Sequence, residues 1–135
     1  MPEHQLFQVD QNAVIRNDKG AILILRHRKT SRWLLPGGRI NKDENWLEAL
    51  KREVREETGI GNFVIDRVLD IGSFSDKGVF YYLVTFLCRT KDKNVKLSNE
   101  HDDYAWINSK EELKKYNFWH EDIVRRIKKS FDYRK

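Results

Sequence analysis

The sequence of 135 residues is poor in the residues that mark secreted or membrane proteins. Cys88 is its only cysteine, so no disulfide can form within the chain, and its apolar surroundings predict a buried thiol. No run approaches the roughly 20 apolar residues that a membrane helix needs. The polar start, Met1-Pro2-Glu3-His4, is followed by no apolar stretch typical of a signal peptide. We therefore predict a cytoplasmic protein without a membrane segment.

The composition that remains predicts one globular domain. The chain is 39% apolar and 12% aromatic, which is enough for a packed core, and its length is typical of a single domain covering residues 1–135. Charged residues make up 35%, above the usual share of about 25%. There is no repeat, linker or low-complexity block.

Apolar runs between turn-forming residues predict a β-rich chain with few helices. The turns are expected at 17–20 and 75–78, and the most apolar run, 79–88, is expected to be a central strand. The predicted strands are 6–15, 21–25, 62–74, 79–88 and 104–107.

Two helices are predicted near the end of the chain. Ser109 and Glu112 have the spacing of a capping box and predict the start of a short helix. Ile123, Ile127 and Phe131 recur at helical spacing and predict an amphipathic helix over 120–133. A solvated surface explains its basic residues more simply than RNA binding does, because no aromatic ladder accompanies them. These basic residues are Arg125, Arg126, Lys128, Lys129, Arg134 and Lys135.

A third helix carries an unusual acidic face. Glu53, Glu56 and Glu57 are spaced i, i+3 and i+4, so their side chains project from one side. Like charges at these spacings cost about 0.2–0.5 kcal/mol per pair. A divalent cation converts that repulsion into coordination, and hard oxygen ligands suit Mg²⁺ or Mn²⁺. A solvated helix face is the alternative for the glutamates taken alone.

The ends of this acidic helix are marked by capping residues. Asn45 and Glu48 form a capping-box pattern, and Gly59 suits a left-handed C-terminal cap, so we predict a helix over 46–58. Its other face carries apolar residues that can pack on a sheet. Arg52 lies one turn before Glu56 and can pair with it. The apolar residues are Leu47, Leu50 and Val54.

Residues 38–60 as a whole fit G-x5-E-x7-R-E-U-x-E-E-x-G-U, where U is aliphatic. At average residue usage, a chance match is on the order of 10⁻⁹ per starting position. The segment resembles the Nudix box of the MutT-like Nudix hydrolases. The resemblance implies an α/β/α sandwich with a mixed central sheet. It also implies Mg²⁺-dependent hydrolysis of a nucleoside diphosphate linked to another group, with Mn²⁺ as a possible substitute.

The same resemblance implies roles for the box residues. Glu53, Glu56 and Glu57 would bind metal, Glu44 would support them, and Arg52 would belong to the catalytic set. The carbonyl of Gly38 or Gly37 would complete the metal ligands, since a glycine turn lets the backbone approach closely. Two positions depart from the common form: Asp43 replaces a glycine, and Trp46 replaces a proline.

The box residues do not identify the general base or the residues that contact the substrate. The base is either a box glutamate, with Glu53 favoured for a share, or a later acid, of which Glu100 and Asp103 are preferred over Asp102. Arg26 and Arg28 are candidates to hold phosphate oxygens. Candidates for stacking on a base are Trp33, Phe74 and either Tyr81 or Tyr82. His27, His101 and His120 lack metal-ligand spacing and are expected at the surface or in loops.

The leading function is pyrophosphohydrolysis of a small nucleotide, a (d)NTP or a modified (d)NTP. The alternatives are a dinucleoside polyphosphate or ADP-ribose hydrolase, an RNA 5′-pyrophosphohydrolase supported only by the basic tail, and a catalytically silent nucleotide sensor. The expected partner is a small-molecule nucleotide, and the protein is expected to be a monomer or a homodimer. Nucleic acid would bind only through the basic C-terminal helix.

Overall fold

A computed structural model describes residues 3–133 as a mixed sheet flanked by two α-helices. The strands are β1 (Gln8–Arg16), β2 (Ile22–His27), β3 (Trp33–Leu34), β4 (Gly37–Arg39), β5 (Val64–Asp76), β6 (Val79–Arg89) and β7 (His101–Ile107). The helices are α1 (Trp46–Thr58) and α2 (Glu121–Phe131), and a 3₁₀ helix spans Lys110–Lys115.

The sheet opens into two branches from β1 and β2. These strands are antiparallel neighbours at Arg16 and Ile22, beside the turn that joins them. Beyond that point β1 pairs with β6 in parallel and with β4 in the antiparallel sense, while β2 pairs with β7 and β3. The short strand β4 therefore lies against β1 where the branches have separated, and it brings the glycine turn to the sheet.

Both faces of the sheet are apolar, because side chains alternate along each strand. Ala13 and Ile15 pack under α1 with Leu50 and Val54, whereas Val14 faces α2. The same alternation along β2 places Leu23 and Leu25 under α1, whereas Ile22 and Ile24 lie under α2. Two cores result, one on each side of the sheet, which confirms the predicted α/β/α sandwich with a mixed sheet.

Most element predictions are confirmed within a few residues. The predicted bounds of α1 are those observed, and Cys88 is buried, with a pKa raised to about 12 by burial. The strand predicted over 79–88 lies between β1 and β5 in the sheet. The capping box at Ser109 is wrong: its side chain makes no capping bond, and Glu112 instead accepts from the backbone N–H of Asn108 at 2.6 Å.

No helix of residues 3–133 is long and apolar enough to cross a membrane. The single domain over 1–135, the cytoplasmic location and the choice between monomer and homodimer stay predictions.

The basic face of α2 is largely occupied by one carboxylate of β5. Arg125 and Arg126 donate to Asp70 at 2.7 and 3.1 Å, and the ammonium of Lys129 lies 3.8 Å from it. Burial raises the pKa of Asp70, but the two arginines more than offset this and hold it below its usual value. Three of the predicted basic residues thus share one acidic partner, and nucleic-acid binding through this helix stays a prediction; Arg134 and Lys135 lie outside the described residues.

Replacing Asp70 with asparagine should lower the free energy of unfolding by about 3 kcal/mol, because it leaves a buried cation without its counter-ion. Arg126 is only 4% exposed, so water cannot replace the lost carboxylate. Urea denaturation measures the loss. Asp132→Asn is the matched control, since it breaks the exposed Lys110–Asp132 pair and should cost under about 1 kcal/mol. Equal losses in the two variants would contradict the prediction.

Candidate active site

The acidic helix α1 is fixed by its own capping residues. The Asn45 side chain accepts from the backbone N–H of Glu48 at 2.9 Å, and the Glu48 carboxylate accepts from the N–H of Asn45 at 3.1 Å. Gly59 ends the helix at φ 76°. The predicted caps at both ends of α1 are confirmed.

The glycine turn contacts two of the three glutamates. The N–H of Gly37 donates to Glu57 at 2.9 Å. A Cβ added to Gly38 would lie 2.2 Å from a carboxylate oxygen of Glu53, and one added to Gly37 would lie 2.1 Å from the Gln11 carbonyl oxygen. Both glycines are therefore needed for close approach, Gly37 against β1 and Gly38 against the acidic helix.

Arg52 holds the exposed side of the cluster together. Its guanidinium donates to both oxygens of Glu44, at 2.6 and 3.0 Å, and also pairs with Glu53. It reaches Glu56 at 3.2 Å and the Arg39 carbonyl at 3.1 Å. The predicted pairing with Glu56 is thus one of several contacts. The hydrogen bonds to Arg52 lower the pKa of Glu44 and fix the carboxylates in position.

The buried end of the cluster is short of positive charge. Burial raises the pKa of Glu57 to about 8; the Gly37 N–H lowers it in part, and Glu53 and Glu100 raise it further. Burial also raises the pKa of Glu53 despite Arg52. Glu57 is 7% exposed. A carboxyl held in this way among acids favours either a proton or a cation.

Glu100 reaches the cluster from the loop before β7. Its carboxylate lies within 4.8 Å of ligand atoms of Glu57 and His101. The loop is tied to β2, because the backbone N–H of Arg28 donates to the Glu100 carbonyl and its guanidinium donates to the Asn99 carbonyl, each at 2.8 Å. The site thus joins both branches of the sheet.

The prediction of a surface or loop position for His101 is wrong. It begins β7, is 2% exposed, and its Nδ1 is buried without a hydrogen-bond partner in the described structure. Burial lowers its pKa. Sequence spacing gave no signal, because Glu57, which completes the cluster with the adjacent Glu100, is more than 40 residues away in the sequence.

Several other candidates lie away from the glutamates or are already paired. Arg26 pairs with Asp102 at 2.8 Å, so neither is a free phosphate contact or base. Trp33 is buried under α2, where its ring packs against Tyr116 at 4.8 Å, so it offers no stacking surface. Asp103 is exposed and stands outside the ligand cluster.

A stacked aromatic pair lies on β5 and β6, with one ring exposed and the other half-buried. Phe74, 52% exposed, stacks on Tyr81 with ring centroids 5.0 Å apart, and the Arg39 guanidinium lies 5.9 Å from the Tyr81 ring. Tyr82 points to the opposite face of the sheet, where its ring packs edge-on against Phe7 with ring centroids 5.8 Å apart. Among the aromatic residues predicted to stack on a base, Phe74 and Tyr81 therefore lie together on one face of the sheet, whereas Tyr82 lies on the other face.

The two departures from the common box sequence fit the loop. Asp43 adopts φ 67°, the left-handed conformation that favours glycine and that aspartate tolerates. Trp46 stacks on Phe86 with ring centroids 5.2 Å apart, and its carbonyl accepts from Gln11 at 3.0 Å. Trp46 thereby anchors the start of α1 to the sheet.

Residues 6–127 match the NUDIX domain family. The chain belongs to the Nudix family. This Nudix domain is 37% identical over 94 residues to 8-oxo-dGDP phosphatase NUDT18 of Danio rerio, covering 67% of the domain but only 28% of that relative. It is 30% identical over 111 residues to nucleoside triphosphatase NudI of Escherichia coli, covering 70% of the domain and 77% of NudI.

Solved Nudix structures share the fold of this domain. The MutT protein of Methanosarcina mazei Go1 aligns with a TM-score of 0.76 at 29% identity, covering 98% of this chain and all of that one. An Ap4A hydrolase of Caenorhabditis elegans aligns with a TM-score of 0.72 at 23% identity, covering 88% of this chain and 93% of that one. At that identity the second likeness supports the fold alone.

The residues of the cluster fit the divalent metal that Nudix hydrolases use. Carboxylate oxygens are the ligands that Mg²⁺ and Mn²⁺ prefer. A cation would also offset the buried charge of Glu57. The residues thus suit a divalent ion.

Alanine at the two neighbouring glycines should give opposite defects. Gly37→Ala collides with the backbone of Gln11 and should lower the melting temperature by several degrees, whereas Gly38→Ala meets only the movable end of Glu53. Gly38→Ala should keep the fold and lose activity, because it displaces that carboxylate. Thermal melts and hydrolysis assays on both variants check this. The prediction fails if Gly38→Ala unfolds the protein as readily as Gly37→Ala.

Proposed function

We propose that this protein is a Mg²⁺-dependent pyrophosphohydrolase that cleaves a diphosphate linkage in a small nucleotide. The observation that carries the proposal is the acidic face of α1 against the Gly37–Gly38 turn, with Glu100 close to Glu57. The favoured substrate is a (d)NTP or a modified (d)NTP, split into a monophosphate and pyrophosphate. The similarity to NudI, a nucleoside triphosphatase, supports this substrate class.

Glu53, Glu56 and Glu57 would hold Mg²⁺, with the carbonyl of Gly38 or Gly37 beside them. When bound, the cation supplies charge neutralisation at the phosphate oxygens and a polarised water. Arg52 keeps the carboxylates in position, since it is bonded to three of them at once (Glu44, Glu53 and Glu56). Because Arg52 is turned towards the protein acids, it is a positioning residue.

The proton of the attacking water would pass to a carboxylate at the mouth of the cluster. Glu100 is exposed and lies near Glu57, which suits a general base that must meet both water and solvent. Glu53 is the second candidate for a share in this role. Asp103 and Asp102 are less suited, because the first stands outside the cluster and the second is paired with Arg26.

The nucleoside would lie on the exposed ring of Phe74, which is stacked on the half-buried Tyr81. A flat, solvent-accessible aromatic surface suits base stacking, which is tolerant of base identity. Arg39, which lies over Tyr81, directly follows Gly38 in β4, so it approaches the aromatic pair from the face of the sheet opposite Glu53. Arg39 therefore joins the residues that we assign to substrate binding.

Phe74→Ala should raise KM for a nucleotide by about tenfold while kcat changes little, since base stacking contributes about 1–3 kcal/mol. Steady-state kinetics with a (d)NTP measures both constants. Val64→Ala is the matched control, because Val64 is equally exposed on the same strand but lies at its other end. A loss confined to kcat would contradict a role in binding.

The substrate is tested by phosphate release with Mg²⁺ over a panel of (d)NTPs, an oxidised dGTP, ADP-ribose, diadenosine polyphosphates and 5′-triphosphorylated RNA. The proposal expects release of pyrophosphate from one or more (d)NTPs. Preferred cleavage of ADP-ribose, a diadenosine polyphosphate or RNA would replace the favoured substrate by that alternative. Tight nucleotide binding with no turnover on any compound would indicate a sensor instead of an enzyme.

A further inference from the structure

One nitrogen donor lies among the oxygen donors of the site. Glu57, Glu100 and His101 each offer a ligand atom, and these three atoms lie within 4.8 Å of one another. Glu57 comes from the last turn of α1, whereas Glu100 and His101 are consecutive residues at the start of β7. A carboxylate, a second carboxylate and an imidazole thus converge from two separate segments of the chain.

One ring nitrogen of His101 is buried without a hydrogen-bond partner among the described residues. The residue is 2% exposed, and the nitrogen is its Nδ1. A buried polar atom without a partner destabilises the folded protein. The neighbouring ring of His27, with its centroid 6.1 Å away and nearly perpendicular, packs against His101 and makes no hydrogen bond with it.

We propose that His101 is a direct nitrogen ligand to the divalent cation that Glu57 holds next to Glu100, an inference that rests on the metal-dependent function proposed above. Coordination would satisfy the imidazole nitrogen and the buried carboxylate of Glu57 together. It also explains why a histidine is buried next to an acid without forming an ion pair with it, since the cation lies between them.

A nitrogen ligand changes which cation the site prefers. Mg²⁺ takes oxygen ligands almost exclusively, whereas Mn²⁺, Co²⁺ and Zn²⁺ accept imidazole readily. The carboxylates alone can hold Mg²⁺, so His101 adds affinity mainly for transition metals. The protein should therefore bind Co²⁺ and Mn²⁺ more tightly, relative to Mg²⁺, than a site with oxygen ligands only.

The decisive measurement is pulsed EPR on the full chain loaded with Mn²⁺, which detects a coordinated ¹⁴N directly. The wild type should show a histidine nitrogen coupling that disappears in His101→Gln and persists in His27→Gln. His27 is the matched control, because it is the adjacent imidazole but stands outside the ligand cluster. Absence of the coupling from the wild type, or its persistence in His101→Gln, overturns the proposal without requiring any variant to be active.

Metal titration gives a second readout. His101→Gln should weaken Co²⁺ binding at least about tenfold while Mg²⁺ binding changes by less than about threefold. Equal losses for both cations would mean that His101 only supports the fold, and would overturn the proposal. Circular dichroism of the variant without metal checks that it is folded, and the wild-type EPR result stands even if it is not.

The EPR measurement and the hydrolysis assay distinguish failure of the proposed metal ligand from failure of the proposed catalytic function. Hydrolysis with Mg²⁺ but no nitrogen coupling would remove the role of His101 and keep the function. A nitrogen coupling without turnover on any substrate would support His101 as a ligand and remove the catalytic function.

Discussion

Glu53→Gln should lower kcat by about 10³-fold or more while the protein stays folded, because the amide keeps the shape of the carboxylate but removes its charge. Glu53 is the acid that touches Gly38, and its side chain is mostly buried beside Arg52. Arg52 retains both bonds to Glu44 in the variant, so the loop before α1 remains attached.

The loss should fall on turnover rather than on folding. Circular dichroism and the melting temperature without metal should match the wild type or improve slightly, since one repelling charge has been removed. Lys51→Gln, an exposed substitution on the same helix, is the control and should keep wild-type kinetics. Near-normal Mg²⁺-dependent turnover in Glu53→Gln would contradict the assignment of Glu53 to the metal-binding site.

The metal-free protein should become less stable as pH rises from about 5 to 8, and Glu57 should account for most of that slope. Its pKa is raised to about 8 in the folded state from 4.5, so the folded state binds this proton more tightly than the unfolded chain does. The stabilisation is complete below pH 4.5 and is lost as pH rises through about 8. The slope cannot exceed about 1.4 kcal/mol per pH unit for one group.

Urea unfolding in EDTA at several pH values measures this slope. Glu57→Gln should flatten it and make the metal-free protein more stable at neutral pH, because the amide has no proton to lose. Glu121→Gln, at an exposed position on α2, should keep the wild-type slope. The same slope in wild type and Glu57→Gln would show that burial of Glu57 does not control it.

Local sequence signals were sufficient for the acidic helix. Asn45, Glu48 and Gly59 act on backbone groups within a few residues, so the bounds of α1 could be read without knowing what it packs against. The same locality explains why the chemistry of Glu53, Glu56 and Glu57 could be inferred: helical spacing alone brings them together. The family match then confirmed the resemblance on which the reaction class rests.

Features that depend on distant partners were missed or misplaced. The strands β3 and β4 are two and three residues long and exist only because β2 and β1 supply their hydrogen bonds. His101 and Trp33 are buried by segments remote in sequence, which no spacing rule detects. The predicted capping box at Ser109 did not form, because the Glu112 carboxylate accepts a hydrogen bond from the backbone N–H of Asn108 and not from that of Ser109.

The position of Glu57 and Glu100 on separate segments has a consequence for motion. Glu57 belongs to α1, whereas the loop of Glu100 is attached to β2 through Arg28. A cation held by Glu57 and in contact with the segment of Glu100 and His101 would bind only while both segments are in place, so it would oppose their separation. Amide hydrogen exchange in β7 and the end of α1 should then slow together when Mg²⁺ is added, beyond the link that the Lys96 N–H already makes to the Thr58 carbonyl at 2.8 Å.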